Sequence, residues 1–160
     1  MNLRILFSAF ILLPGLIAAA EPPARNALLG TWEADISKSS FIGRLPYRTG
    51  KMVVSKDKAG LVRVVADVVT ASGAPFHFEY ASKEDGTVAP VIGNPYYDSQ
   101  STLWADSHTA IRTEMRAGKA TGVTTMVVAR DGKSYKASAS RTAPEDGHQY
   151  TSVIVWNRVK

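Results

Sequence analysis

The sequence contains no cysteine among its 160 residues. This absence excludes a disulfide framework, thiolate metal ligands and thiol chemistry. It also excludes a lipoprotein anchor, because that route requires a cysteine at the cleavage site. The fold must therefore be stabilised by noncovalent packing, which a domain of ordinary size can achieve.

The sequence also lacks the motifs that usually indicate catalysis. It has no Gly-x-Ser-x-Gly segment, no His-Glu-x-x-His segment and no glycine-rich phosphate loop. Acidic residues are spread one or two per turn, so no pair of carboxylates stands out for general acid–base chemistry. We therefore predict a protein that is not an enzyme and that has no cofactor.

Only three histidines are present, and none predicts a metal or catalytic site. His77 and Glu79 lie two residues apart on one face of a predicted strand, and a stable metal site usually needs three or four ligands. The segment 106–108 contains Asp, Ser and His in succession. Contiguous residues in a tight turn cannot form a relay of nucleophile, base and orienting acid. His148 follows a turn and is expected to be exposed.

Long apolar runs are missing except at the N-terminus. Arg4 precedes an apolar stretch at 5–17, and three alanines at 18–20 give the pattern that a signal peptidase recognises. A run of about 13 residues is too short to span a hydrocarbon core of ~30 Å. We therefore predict a signal peptide at 1–20, export to the periplasm or the medium, and no transmembrane segment in the mature chain.

Basic residues exceed acidic ones throughout the rest of the chain. The formal net charge is +5, or +4 once Arg4 is removed with the signal peptide. A positive balance favours anionic partners, such as an anionic envelope surface. Scattered basic residues and the expected export argue against nucleic acid. We expect residues 21–29 to form a short leader and residues 30–160 to form a single domain.

Turn signals divide this domain into short segments of alternating polarity. They fall at 56–60, 71–73, 84–86, 130–132 and 145–147, and an Asp-Gly pair between apolar runs predicts a hairpin. Between turns, apolar and polar residues alternate with period two, which is typical of strands with one buried face. By this pattern Phe78 and Tyr80 face inward, whereas Arg112 and Glu114 face water and Ile111 faces inward.

The pattern predicts an all-β domain without a long helix. Such a chain is an antiparallel up-and-down meander of about eight to ten strands, which closes into a barrel because closure removes unpaired edges. A β-sandwich is the main alternative. The predicted strands are 30–35, 50–56, 61–70, 75–83, 87–92, 99–105, 109–116, 121–130, 133–140 and 149–158.

The two ends of this meander resemble the calycin superfamily. The first predicted strand opens with Gly30-Thr31-Trp32, and the last ends with Trp156-Asn157-Arg158. The chain also resembles exported bacterial proteins with a Gly-x-Trp opening and a Lys-Ser segment, here at 38–39. It differs from the classical lipocalins because 141–148 is a turn instead of a helix, and because their central Thr-Asp-Tyr-type motif is missing. The resemblance is therefore to a lipocalin-like bacterial relative.

Closure of a lipocalin-like barrel gives roles to three of these residues. Gly30 allows the chain to enter the barrel where a side chain would collide. Trp32 plugs the closed end, and the guanidinium of Arg158 covers the indole face in a cation–π contact worth ~0.5–2 kcal/mol.

The resemblance implies a cup that holds one small, largely apolar ligand, so that the protein acts as a carrier. Two segments are candidates for the rim, at 36–48 and 90–98, and the alternative is that these loops only pack over the barrel end. The expected ligand-binding residues are Phe76, Phe78, Tyr80, Trp104 and Met126 inside the barrel, with Phe41, Tyr47 and Tyr96 at the rim.

A second function class remains open, namely an envelope-associated interaction or inhibitor module with a filled barrel and no small ligand. The last strand favours it, because Ile154 and Trp156 lie on one face and Val153, Val155 and Val159 on the other. Two apolar faces suggest that something covers the outer side, such as a second subunit. An enzyme would need a buried polar cluster, which the sequence does not reveal.

Overall fold

The computed structural model describes residues 27–44, 46–143 and 145–159. The predicted signal peptide and most of the predicted leader lie outside the described residues. The prediction of an all-β barrel is confirmed, since ten antiparallel strands close into one sheet. The strands are β1 (Gly30–Ile42), β2 (Tyr47–Lys56), β3 (Val62–Thr70), β4 (Pro75–Ser82), β5 (Asp85–Ile92), β6 (Ser99–Trp104), β7 (Thr109–Arg116), β8 (Lys119–Val128), β9 (Ser134–Thr142) and β10 (Gln149–Arg158).

The strands follow one another around the barrel in chain order, and β1 pairs with β10 to close it. Every strand thus pairs with its neighbours in sequence, as an antiparallel meander requires. The β-sandwich alternative is wrong, because all ten strands belong to one closed sheet. Among the described residues no helix is long and apolar enough to cross a membrane.

Tight turns join the strands where positive φ angles are available. Gly60 and Gly73 lie at predicted turns with φ angles of 82° and 87°. A further turn joins β7 to β8 through Ala117 and Gly118, whose φ angles are 49° and 75°. Two successive positive φ angles are typical of a type I′ hairpin. The break between the predicted strands 109–116 and 121–130 contains this turn, although 117–118 was not among the turn signals.

The first strand is longer than predicted. Residues 36–42 belong to β1, so the expected rim loop at 36–48 is wrong over that part. The register between β1 and β10 shifts between Asp35 and Ser40. Inside this bulge the Ser39 hydroxyl donates to the Asp35 carbonyl at 2.7 Å and accepts from the Val155 amide at 3.1 Å. A bulge interrupts the alternation of side chains, which hides the strand in the sequence.

The outer side of β10 is partly covered within the single chain. Val155 lies on this side, beside the bulge of β1, and is only 8% exposed. Burial of Val155 therefore needs no second subunit.

The strand pairing is uneven around the barrel. β1 and β2 pair only through Gly30–Glu33 and Lys51–Val54. Beyond these residues β1 continues along β10 alone, and among the described residues no pair joins Ala34–Ile42 to Tyr47–Gly50. The sheet thus has a gap between β1 and β2 at the end of the barrel where the turn between these two strands lies.

Candidate functional site

The barrel encloses a cavity of about 70 Å³. Most of its lining is apolar, with a smaller set of polar side chains. The apolar residues include Leu28, Met52, Val54, Val64, Phe78, Met126, Ile154 and Trp156, and the polar ones include Tyr80, Glu84, Tyr97, Arg112, Thr124, Arg141 and Ser152.

Five of the eight predicted ligand-binding residues line this cavity, namely Tyr47, Phe78, Tyr80, Tyr96 and Met126. Phe41 and Phe76 belong to a ring cluster beside it. Ring centroids there are 5.5 Å apart for Phe41 and Tyr47, and 5.9 Å for Phe76 and Tyr96. The two predicted rim segments therefore meet at the same end of the barrel.

Trp104 is buried but is not part of the cavity lining. Its indole Nε1 donates to Glu84 Oε2 at 2.7 Å. Glu84 is itself 4% exposed and has a φ angle of 53°, at the turn between β4 and β5. The predicted turn at 84–86 thus directs the Glu84 carboxylate into the barrel, where it accepts the hydrogen bond that orients the Trp104 indole.

A buried network of charged and polar side chains spans three neighbouring strands, from β7 through β8 to β9. Glu114 is 1% exposed and accepts two hydrogen bonds from Arg141, from Nε to Oε2 and from Nη2 to Oε1, the latter at 2.8 Å. Thr124 Oγ1 also donates to Oε1 of this carboxylate, at 2.8 Å. A bidentate pair of this kind fixes both direction and distance. The expectation that Glu114 faces water is wrong.

The register of three strands builds this network. Glu114 pairs with Gly122, and Gly122 pairs with Arg141 on the next strand. Arg141 must therefore cross over Gly122 to reach the carboxylate. A Cβ at position 122 would lie 2.7 Å from Arg141 Cγ, closer than such atoms approach. Glycine at this position leaves the space that the arginine occupies.

Arg112 lies deeper in the barrel and is 9% exposed, so its predicted exposure is also wrong, whereas Ile111 is 42% exposed on the outer face. Arg112 Nη1 donates to the Tyr80 hydroxyl at 3.1 Å. Its Nε lies 3.4 Å from Glu114 Oε1, an ion-pair contact that lacks hydrogen-bond geometry. Among the described residues this Nε has no hydrogen-bond partner, and neither has the buried Ser152 Oγ.

Protonation states in the interior follow from burial and from these charges. Burial raises the pKa of Tyr80 and of Tyr97, so both phenols remain neutral. Burial also acts to raise the pKa of Glu114, but the Arg141 guanidinium and its hydrogen bonds outweigh this and lower it. A carboxylate held ionised by a bidentate arginine is poorly suited to donate or accept a proton. The cluster provides hydrogen bonds and charge instead.

Arg44, which follows β1, covers the end of the barrel opposite the pair formed by Trp32 and Arg158. Its guanidinium carbon is 4.9 Å from the ring centroid of Tyr47, 4.7 Å from that of Tyr96 and 5.2 Å from that of Tyr150. Arg44 Nη2 also donates to the Tyr96 hydroxyl at 3.1 Å. A cleft of about 380 Å³ lies on the outer side of this group. We call these four residues the mouth cluster.

His77 and His108 lie away from the cavity, whereas His148 lines the outer cleft beside Arg44. His77 Nδ1 lies 2.8 Å from Asp67 Oδ1, and Glu79 pairs with Arg63 on the outer face. His108 Nδ1 bonds with the Ser107 hydroxyl at 2.8 Å. Within the described ranges no group of three or more His, Asp and Glu side chains is arranged to hold a metal ion.

Sequence reasoning missed Arg44, Glu84, Arg112, Glu114 and Arg141. One signal in the sequence could have found part of this set. Arg112 and Glu114 lie two residues apart on one strand, so they share a face, and that face can be the inner one if the two charges pair with each other. Comparison with models of known protein families finds no match for the chain. No curated protein sequence matches it either. The functional interpretation therefore depends on the geometry of the barrel interior.

Proposed function

We propose that this protein is an exported carrier that binds one small molecule inside the barrel. The molecule has an apolar body and carries an oxygen that accepts hydrogen bonds. The observation that supports this most is a pair of unpartnered donors, Arg112 Nε and Ser152 Oγ, in an otherwise largely apolar cavity.

The two kinds of lining have separate roles in binding. Apolar contact supplies most of the affinity in such sites, and a few polar groups fix orientation. A buried donor without a partner costs about 1–3 kcal/mol. A ligand oxygen that accepts from Arg112 removes this cost, so the site favours a carbonyl or carboxylate group over a hydrocarbon of the same size. The ligand expected from sequence was largely apolar, and this polar anchor refines it.

The size of the cavity limits the ligand. An apolar cavity of roughly 150 Å³ can hold benzene, and the cavity here is about half that size. A ligand of more than a few heavy atoms therefore needs side chains at the mouth of the barrel to move.

Export and lipocalin-like ancestry belong to the same proposal. They are supported by the N-terminal pattern at 1–20 and by the residues of the first and last strands, Trp32 and Arg158. We expect cleavage after Ala20, which N-terminal sequencing of the protein from its own host measures. A retained Met1 would contradict export by this route.

Native mass spectrometry of the protein, purified gently from its host, tests ligand binding. We expect a co-purifying small molecule. In parallel, octanoate and octanol are compared as thermal-shift probes on wild type, Arg112→Met and the control Arg63→Met, which alters an exposed arginine on the outer face. Octanoate should stabilise wild type and the control but not Arg112→Met. A clean apo mass with no shift from either probe contradicts the proposal.

A second candidate is a protein-interaction module, which the outer face of the barrel favours. Two adjacent rows of paired residues without a charged side chain cross the outer face, the first from β5 and the second from β6, and both continue through β10 onto β1. On β5 the second row would continue at Asp85, which pairs with Leu103. The first row is Val88, Ser101, Thr113, Val123, Ser140, Thr151 and Ile42, and the second is Leu103, Ile111, Thr125, Ser138, Val153 and Ser40. By contrast, Lys51, Asp67 and His77 form one row across β2 to β4.

The partner that fits this uncharged face is a second copy of the chain. Two copies of the exported chain, each with a net charge of +4 after loss of Arg4, repel each other, and the repulsion is least where no charges meet. Sedimentation of wild type, Val123→Lys and Val53→Lys tests for this dimer. The two valines are similarly exposed, at 45% and 41%, but Val123 lies on the uncharged face and Val53 lies on β2, outside it. We expect Val123→Lys alone to weaken a dimer. A wild type that stays monomeric at high concentration excludes this candidate.

A further inference from the structure

We propose that Arg44 is the gate of the barrel cavity, and that it admits neutral and anionic molecules in preference to cationic ones. The inference rests on the proposed function, because the molecule that the gate admits is the ligand of the carrier. Access to the cavity can nevertheless be measured without knowing the ligand.

The mouth cluster has the geometry of a closed gate. Three tyrosine rings surround the Arg44 guanidinium at 4.7 to 5.2 Å, and Tyr96 also accepts its hydrogen bond. A cation over aromatic faces is held by electrostatic attraction to each ring. These contacts are made by the side chain of Arg44, so they can break while the strands of the barrel remain paired.

Arg44 and Tyr96 form the partition between two spaces. Tyr47 and Tyr96 line the inner cavity of about 70 Å³. Arg44, Tyr96 and Tyr150 line the outer cleft of about 380 Å³. When Arg44 swings outward, the inner cavity becomes continuous with the outer cleft, whose size already lies in the range of roughly 300–1,000 Å³ that ligand pockets occupy. The motion thus removes the size limit of the closed cavity.

The two ends of the barrel differ in how their arginines are held. Arg158 donates to the carbonyls of Ala27, Leu29 and Gly132, and these hydrogen bonds hold its guanidinium over Trp32. Arg44 lies in the turn between β1 and β2, next to Gly43 with a φ angle of 78°. The pairing of β1 with β2 ends at Glu33 and Lys51, far from this turn along both strands. On either side of this turn Ile42 pairs with Thr151 and Tyr47 pairs with Thr70, so the motion proposed is that of the Arg44 side chain and leaves the strand pairing intact.

The charge of the gate gives the selectivity. A guanidinium at the entrance attracts anions and repels cations during approach. Glu145 also lines the outer cleft and offsets part of this effect, so the selectivity of the gate depends on the positive charge at Arg44. Arg112, with its unpartnered Nε, then offers a second positive group deeper inside the barrel. A carboxylate passes from one arginine toward the other, whereas an ammonium group meets repulsion at both.

The absence of cysteine makes a direct measurement of access possible. Ser152→Cys places a single thiol in the cavity, where the serine is 3% exposed. The rate of alkylation of this thiol is measured with iodoacetamide and with iodoacetate, two reagents that differ in charge but little in size. The backgrounds compared are unchanged Arg44, Arg44→Ala, Arg44→Lys and the control Arg48→Ala, which removes an exposed positive charge on the outer face of β2.

We expect Arg44→Ala to speed reaction with iodoacetamide about tenfold, because it removes the ring contacts that keep the gate closed. Arg48→Ala should leave the rate within about twofold, as exposed charges act weakly. The ratio of the iodoacetate rate to the iodoacetamide rate should fall in Arg44→Ala and be retained in Arg44→Lys. Each rate is divided by that of an exposed thiol, Ser55→Cys on β2, in the same background.

Equal rates in the Ser152→Cys protein with unchanged Arg44 and with Arg44→Ala would overturn the gate. A faster rate in Arg44→Ala with an unchanged ratio of the iodoacetate rate to the iodoacetamide rate would overturn its charge selectivity. Thermal melting identifies a variant that has lost its fold, and Arg44→Lys then provides the comparison. Rates that depend on Arg44 without any ligand in native mass spectrometry contradict the carrier function alone. A bound ligand with rates independent of Arg44 contradicts the gate alone.

Discussion

The guanidinium carbon of Arg158 lies 4.1 Å from the ring centroid of Trp32, and the two residues are directly paired between β10 and β1. The indole is fully buried, and its Nε1 donates to the Leu28 carbonyl at 2.7 Å. Arg158 also donates to the carbonyls of Ala27, at 2.9 Å, and Gly132, at 2.6 Å. The pair thus ties the first strand, the last strand and the residues before β1 into one closed end.

Replacement of Trp32 by alanine should lower the free energy of unfolding by ~3–5 kcal/mol, because a large buried side chain is removed. Trp32→Phe should cost less, since a ring remains beneath Arg158 and against Tyr135, whose centroid is 4.8 Å away. Urea denaturation measures both, with Val53→Ala as a half-exposed control. If Trp32→Ala unfolds at the same urea concentration as wild type, the indole does not close the barrel.

The closed end could be predicted from sequence, and the physical reason is simple. In an up-and-down barrel the first and last strands must meet, so a tryptophan and an arginine at opposite ends of the chain become neighbours. The number of strands was also predictable, because every hairpin but one has a glycine or Asp-Gly signal. The second half of β1 was not, because its bulge interrupts the alternation that identifies a strand.

Glu114→Gln should destabilise the protein by about 3–5 kcal/mol, because it leaves the buried Arg141 without a counter-charge. The matched control is Glu79→Gln, which breaks an ion pair with Arg63 on the outer face and should cost ~0–1 kcal/mol. The two pairs differ in burial and in hydrogen bonding, since Glu114 accepts two bonds from Arg141 and one from Thr124, whereas Glu79 accepts one from Arg63. Equal stability losses, measured by denaturant unfolding, would show that burial of the Glu114 pair has no energetic consequence.

Gly122→Ala should be destabilising because of its neighbour across the strand. The new Cβ would lie 2.7 Å from Arg141 Cγ and 3.1 Å from Glu114 Oε2, so the arginine must leave its position. Overpacking of this kind costs about 1–3 kcal/mol. In an Arg141→Ala background the same change should cost less, because the colliding side chain is gone. Additive effects of the two changes in a double-mutant cycle would contradict this account.

The inward-facing charges could not be predicted from the alternation alone. Period two separates Arg112 and Glu114 from Ile111 but does not say which set faces the core. Hydrophobicity favours Ile111 inside, and the structure has the opposite arrangement because Arg141, Thr124 and Tyr80 satisfy the buried charges. These partners come from other strands, and a single strand gives no information about them. The mouth cluster was missed for the same reason, since Arg44 meets Tyr96 and Tyr150 only in the folded barrel.

His148 should titrate with a pKa above its ordinary value, because protonation lets both ring nitrogens donate. Nδ1 lies 2.6 Å from Asp146 Oδ1, and Nε2 lies 2.8 Å from the Gly43 carbonyl. The Asp146 contact raises the pKa of His148 most, the Gly43 carbonyl adds to this, and desolvation opposes it. Glu145 contributes a further negative charge, and the neutral Tyr150 ring lies 5.9 Å away.

The sign of the resulting pH dependence follows from this raised pKa. The stabilisation by His148 is complete below the ordinary histidine pKa of 6.5, which the unfolded chain retains, and is lost as the pH rises through the higher pKa of the folded protein. The thermal advantage of wild type over His148→Gln should therefore be present at acidic pH and fade under alkaline conditions. NMR titration of the three histidines, assigned with this variant, measures the pKa of His148 directly. Asp146→Asn should lower that pKa. A midpoint at or below the ordinary value in wild type would mean that the imidazolium does not tie the Gly43 turn to the Asp146 loop.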